Sequence, residues 1–201
     1  MGCQDFDFSC LNLFHRQAIA PYLERKIMIL EQYLLGALLT FVPASQHAYY
    51  ESEEATLDRY SSIAHTIAVI SKEQPLFADD EDGVKTGLIL ASIASSESNL
   101  REDVDDCRRG GDRDKHGNWL AWGLWQTHAP KSEVCSSRLS GARIAREMVR
   151  TSFSVCSSFA WSDRLSVYTD GVCKNNWKRS SFRLNRAVQY LKQHTFSTSN
   201  I

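Results

Sequence analysis

ASIASSESNL, residues 91–100, decides how the rest of the chain is read. It closes a run, GLILASIAS, that is apolar or small on every face, a pattern that belongs to a helix surrounded by protein. Gly87, Ala91, Ser92, Ala94 and Ser95 leave room for neighbouring backbones to come close. Glu97 then follows Ile93 and Ala94 on one helical face, because residues three and four apart are neighbours. A carboxylate so placed is expected to be partly desolvated. Desolvation penalises the charged form, and a carboxylic acid that keeps its proton can serve as a general acid. The other reading of an isolated glutamate at a helix end is a side chain turned to solvent or bonded to nearby backbone, and periodicity alone does not choose between them.

Working outward, the chain has 201 residues, 43% hydrophobic and 23% charged, enough to bury a core and too apolar for chain-wide disorder. A net charge of -1 gives no global attraction to nucleic acid or anionic membranes. Residues 17 to 42 carry Ile19, Leu23, Ile27, Leu30 and Leu34 at steps of three and four, one face of a helix ended by Pro43. Within it IMILEQYLLGALLTFV, residues 27–42, follows Arg25 and Lys26 and looks like a targeting or anchoring segment. Glu31 and Gln32 interrupt it, and it falls short of the roughly 20 residues that span a bilayer, which favours an amphipathic or buried helix. Leu57 to Ile70 is a second helical pattern. ADDEDG, residues 78–83, reads as the boundary between an N-terminal helical region, 1–78, and a functional domain, 84–201. A helix from Val84 to Leu100 begins that domain, with the acidic link complementing its dipole.

From Cys107 to His128, Gly110, Gly111, Gly117 and Gly123 alternate with turn-forming Asp and Asn, which predicts an irregular loop or small β-hairpin. Helical patterns resume at 141–153, 162–168 and 182–194. The fold class is mostly α with one irregular insertion. Cysteines stand at 3, 10, 107, 135, 156 and 173 without a CxxC pair or a Cys/His cluster at zinc spacing, so no metal is expected. Cys107 with Cys135 and Cys156 with Cys173 are the first choice for disulfides in an oxidising location, against buried free thiols in a reducing one.

NWLAWGLWQTH, residues 118–128, gathers Trp119, Trp122 and Trp125 around Gly123 and before Gln126. Aromatic faces pack on the C–H faces of sugars and amides bond their polar groups; the same tryptophans could equally staple a small domain. At this point a resemblance emerges. SESNL (96–100), GLWQ (123–126) and VYTDG (167–171) resemble, in order, the E-S, G-L-M-Q and Y-N-x-G motifs of the lysozyme-like superfamily, in particular soluble lytic transglycosylases and goose-type lysozymes. The likeness covers roughly residues 84–192. Trp125 stands where the family usually has Met, Thr169 where it has Asn, and the interval between Glu97 and Gly123 is long.

The resemblance implies a lysozyme-like α+β fold that cleaves the β-1,4 bond between N-acetylmuramic acid and N-acetylglucosamine in peptidoglycan, with Glu97 as acid/base. Ser98, Gln126 and Tyr168 would line the cleft, position the sugar or support the glutamate, Gly123 and Leu124 would shape the loop beside it, and Trp125 would join the substrate-binding set. Asp112, Asp114 and Asp170 are the candidates for a second carboxylate, since most glycosidases use a pair. Without one, the family's single-glutamate route applies, in which the substrate's own 6-hydroxyl closes a 1,6-anhydro ring. No cofactor is implied. The partner would be the glycan strand, the location the periplasm or the extracellular wall, and the N-terminal helices would associate with a membrane or a virion. Two rivals remain: a cell-wall-binding protein with a degenerate fold, and a nucleic-acid-binding module using the rows Arg179, Arg183, Arg186 and Arg143, Arg146, Arg150. The sequence carries no G-x-S-x-G, H-E-x-x-H or P-loop motif.

Overall fold

The structure, a computed structural model, describes residues 8–197, with side chains described at position 21 and from 23 onward. Cys3 and the side chains of Cys10 and Ile19 lie outside the described residues. The chain is mostly α: α1 Phe8–Phe41, α2 Glu53–Glu73, α3 Val84–Ser98, α4 Glu102–Asp105, α5 Lys131–Val134, α6 Arg138–Val155, α7 Ser166–Asp170 and α8 Lys178–Gln193. Helix α2 starts four residues before its apolar pattern because Ser52 caps it, accepting a hydrogen bond from Ala55 N at 3.2 Å.

Helix α3 is the centre of the packing. It lies against α1, α2 and α8, and its residues from Thr86 to Ser95 are all buried. Gly87 and Ser95 are poor choices for an exposed helix. Burial offsets them, since each fully buried Leu or Ile contributes about 2 kcal/mol. The small residues do what their size allows: Ser92 Oγ reaches across to the carbonyl of Arg183 in α8 at 2.9 Å, and a Cβ on Gly87 would come within 3.0 Å of the Leu34 methyls. One apolar cluster runs from Leu30, Leu34 and Leu38 through Ile63 and Ile67 to Leu90, Trp125 and Leu184, drawing on both sides of the acidic link. Among the described residues no helix is long and apolar enough to cross a membrane. The segment 27–42 spends its apolar stripe on this core, while Glu31 bonds Ser61 and His65 of α2.

The acidic link acts through one residue. Asp80 is 4% exposed, and its carboxylate accepts from Lys85 N at 3.0 Å, Thr86 N at 2.8 Å and Thr86 Oγ1 at 2.6 Å. These main-chain donors are orphans of the first turn of α3, whose N-cap, Gly83, has no side chain to offer. Position 83 requires glycine twice over: its φ is +70°, and a Cβ would sit 2.9 Å from the backbone of Ser71.

The glycine-rich insertion forms no strand among the described residues. Two isolated bridges, Arg113 with Trp119 and Trp122 with Thr127, fold it on itself. Turns at Asp114 and Gly123 use up main-chain groups that a longer ladder would need. Disulfides join Cys107 to Cys135 and Cys156 to Cys173. Closing loops of 28 and 17 residues is worth about 3 kcal/mol each in the chain-entropy account.

Replacing Asp80 by Ala removes a charged cap and three hydrogen bonds at once. The expected cost is about 2 kcal/mol, measurable as a lowered midpoint in urea denaturation, and Asp80→Asn should recover part of it.

Candidate functional site

Glu97 is on the last turn of α3, and the two residues after the helix, Asn99 and Leu100, turn the chain sharply with φ of 51° and 52°. Ser98 stabilises that corner. Its Oγ donates to Ala94 O at 2.7 Å and accepts from Leu100 N at 3.1 Å, with the residue 4% exposed. Of the roles that the resemblance implies for Ser98, this geometry matches support of the helix end that carries Glu97.

The surroundings of Glu97 differ from the apolar niche that the helix pattern implied. Oε1 accepts a hydrogen bond from Nη2 of Arg183 in α8 at 2.5 Å, with the glutamate side chain 22% exposed and the arginine 8%. Arg183 is held from behind as well, since Nη1 donates to Arg179 O at 2.7 Å. A buried guanidinium needs a counter-charge, and where α8 packs on α3 Glu97 supplies it.

The GLWQ segment approaches from the insertion. Gly123 takes φ of +68° in the tight turn, and its carbonyl accepts from Gln126 Nε2 at 2.7 Å. Leu124 and Trp125 are 1% and 2% exposed, and Trp125 Nε1 donates to Leu90 O at 3.0 Å. Trp125 is thus a core residue that offers no face to a sugar, a correction with a simple cause: its indole N–H finds its partner only by entering the core beside α3. Gln126 Oε1 is buried without a hydrogen-bond partner, lying against Gly111, where a Cβ would come within 1.9 Å of it. Trp119 and Trp122 are the half-buried ones, stacked under Arg113 at 3.7 Å and Lys131 at 4.2 Å.

Tyr168 links the pieces. Its hydroxyl donates to the carbonyl of Trp125, and its N–H donates to Ser152 Oγ at 3.1 Å. Burial pushes its phenol well above the ordinary value, and the nearby Glu97 carboxylate pushes it further, opposed by Arg183. Glu97 with Arg183 and Tyr168 with the Trp125 carbonyl are thus two bonded pairs, and Trp125 is joined through Leu90 O to the helix that carries Glu97. The proposed second carboxylates are engaged elsewhere. Asp112 is exposed and faces His128 at 3.8 Å, and Asp170 is ion-paired with Lys174. Asp114 builds a turn, bonded to Asn118 and His116, which holds its carboxyl below the usual range, the Asn118 side chain foremost. Among the described residues none of the three is bonded to Glu97, Arg183 or Tyr168, and no group of acidic, His and Cys side chains is arranged to hold a metal.

No family model, curated protein or solved structure matches the chain. The site therefore has to be argued from its own geometry. Arg183 is the member that sequence reading missed, taken there as part of a basic row. The signal was present: Arg183, Ala187 and Tyr190 share one face of α8 beside Leu184, and an arginine on an apolar face is rarely buried unless paired. The second row is stitched inward too. Arg143 pairs with Glu73, Arg146 bonds Ile70 O and Gln74, and Arg150 bonds Gln74 O, so these arginines tie α6 to the end of α2.

Two measurements probe the cluster. Replacing Arg183 by Leu leaves Glu97 without its counter-charge and should cost about 2–3 kcal/mol, reduced from the fully buried case by the partial exposure of the carboxylate. Adding Glu97→Gln to that variant should restore part of the loss in a double-mutant cycle. Burial also raises the phenols of Tyr60 and Tyr190, and raises Tyr33 to about 12. Because the unfolded chain releases these protons first, their contribution is complete below the ordinary value of 10.0 and is lost as pH climbs through the folded values. The urea midpoint should accordingly fall between pH 9.5 and pH 11.5, roughly the window those values set, and Tyr168→Phe should flatten the decline.

Proposed function

We propose that the protein is a peptidoglycan-cleaving glycosidase of lysozyme-like architecture, a lytic transglycosylase or muramidase, with Glu97 as its acid/base. The observation that supports this reading is the convergence of three segments far apart in the chain. Glu97, Trp125 and Tyr168 belong to the three motifs that resemble the lysozyme-like superfamily; Tyr168 bonds the Trp125 carbonyl, and Trp125 Nε1 bonds Leu90 O of α3, the helix that carries Glu97.

In this reading Glu97 donates a proton to the leaving oxygen of the β-1,4 bond, while Arg183 positions the side chain through Oε1. The charge that develops on the sugar is then met by the carboxylate. The three candidate aspartates are turned to other partners, which favours the single-glutamate route, with the same group recovering a proton from either water or the substrate's 6-hydroxyl. The two disulfides support work in an oxidising compartment, which the cell wall occupies.

One observation favours a second reading, a non-catalytic wall-binding protein: the Glu97 carboxylate is engaged in an ion pair that explains its presence without chemistry. Digestion of purified sacculi followed by mass spectrometry separates the two. The proposal expects muropeptide release that falls about 10²–10⁴-fold in Glu97→Gln, with circular dichroism unchanged. Anhydro ends would assign a transglycosylase and reducing ends a muramidase. Sedimentation with sacculi without release by the unaltered protein would leave the binding reading standing.

A further inference from the structure

A cavity opens where the turn between α1 and α2 meets the chain just after α3. It measures about 280 Å³ and is lined by His47, Tyr50, Glu51, Arg101, Glu102, Asp103 and Arg108. Its charges are balanced from within. Arg101 grips Asp103 with Nε at 3.0 Å and Nη2 at 2.7 Å, Arg108 pairs with Glu102 at 3.0 Å, and Glu51 is paired with Arg59. A phosphate would find each cation already neutralised, and a cation would find each carboxylate engaged. What such a lining retains is rigid hydrogen-bonding capacity: a guanidinium has five N–H donors, of which Arg101 spends two on Asp103, and each carboxylate has lone pairs beyond its partner.

The other component is aromatic. Tyr50 is 73% exposed and Tyr49 91%, their rings edge to face at 5.1 Å, with the Arg101 guanidinium 5.9 Å from the Tyr50 ring. Two large aromatic side chains held in solvent beside paired charges match a ligand with apolar C–H faces and uncharged hydroxyl or amide groups on its rim. A neutral saccharide has that chemistry. The wall of the cavity is also tied to the corner that follows the catalytic candidate, because Arg59 bridges Glu51 to the carbonyl of Leu100. Arg101 is four residues beyond Glu97, so their backbones are at most about 14 Å apart, a few sugar units along a glycan strand.

We propose that this cavity is a distal saccharide-binding site, with Tyr50 as the platform and the Arg101–Asp103 pair as the hydrogen-bonding rim, holding N-acetylhexosamine units away from the point of cleavage. The role of a distal subsite rests on the glycosidase reading; saccharide binding as such does not. Isothermal titration of the full chain bearing Glu97→Gln with tri-N-acetylchitotriose, a neutral β-1,4-linked trimer, tests it, with inorganic phosphate as the anion control. Tyr50→Ala should weaken trimer binding about tenfold, the scale of one aromatic contact, and Asp103→Asn should weaken it in the same direction, with phosphate showing no binding. Tyr50 is exposed, so its variant keeps the test decisive if Asp103→Asn fails to fold. Absence of trimer binding, equal affinity in Tyr50→Ala, or phosphate binding that Arg101→Gln abolishes would each overturn the proposal. Sacculus digestion run in parallel separates it from the activity. Tyr50-dependent binding without muropeptide release sinks the cleavage reading and keeps the site, and release with Tyr50-independent binding does the reverse.

Discussion

Burial of α3 on all sides is the constraint from which most of the structure follows. A helix with protein around it cannot satisfy its ends with water, so side chains at or beyond each end take that role. At the N-terminus Asp80 reaches back from the acidic link to the orphan N–H groups. At the C-terminus Ser98 and the left-handed pair Asn99 and Leu100 turn the chain, and Arg183 meets the one charge that the helix carries into the interior. Small residues make this possible. Ser92 and Gly87 allow α8 and α1 to approach closely enough for those partners to arrive.

Much of this was legible in the sequence, for a physical reason. The all-round apolar character of GLILASIAS depends only on local pattern, and the burial of α3 follows from it. The same holds for the acidic link before the helix, though which of its residues acts depends on tertiary geometry, and only Asp80 turns inward. The two cysteine pairs match the first choice made from loop-flanking positions, although spacing alone leaves other pairings open. The mostly α class was readable from helical spacing; the helix ends were not, because caps such as Ser52 lie outside the apolar pattern.

The site was legible in part. Periodicity places Glu97 near buried neighbours but says nothing of what another helix brings to it, and the charge of Arg183 reads the same in sequence whether it faces water or a carboxylate. The tryptophans illustrate the same limit. Trp119, Trp122 and Trp125 have equivalent weight in composition, yet Trp125 enters the core because its N–H finds the Leu90 carbonyl there, while the other two stay at the surface beneath cations. Aromatic density in a glycine-rich loop therefore mixes structural and surface roles that only the packing separates.

This division bears on how a cluster built from core interactions could still do chemistry. Tyr168, Trp125 and Arg183 are each anchored on their far side, by Ser152, Leu90 and Arg179 respectively. Groups held this way cannot reorganise as charge develops, and that rigidity is what preorganised catalysis requires of the residues around a reacting acid. Glu97 is the exception: only one of its oxygens is engaged with Arg183, and a fifth of its side chain is accessible. The ion pair that ties α8 to α3 therefore also fixes the position of the carboxylate that the proposed reaction would use.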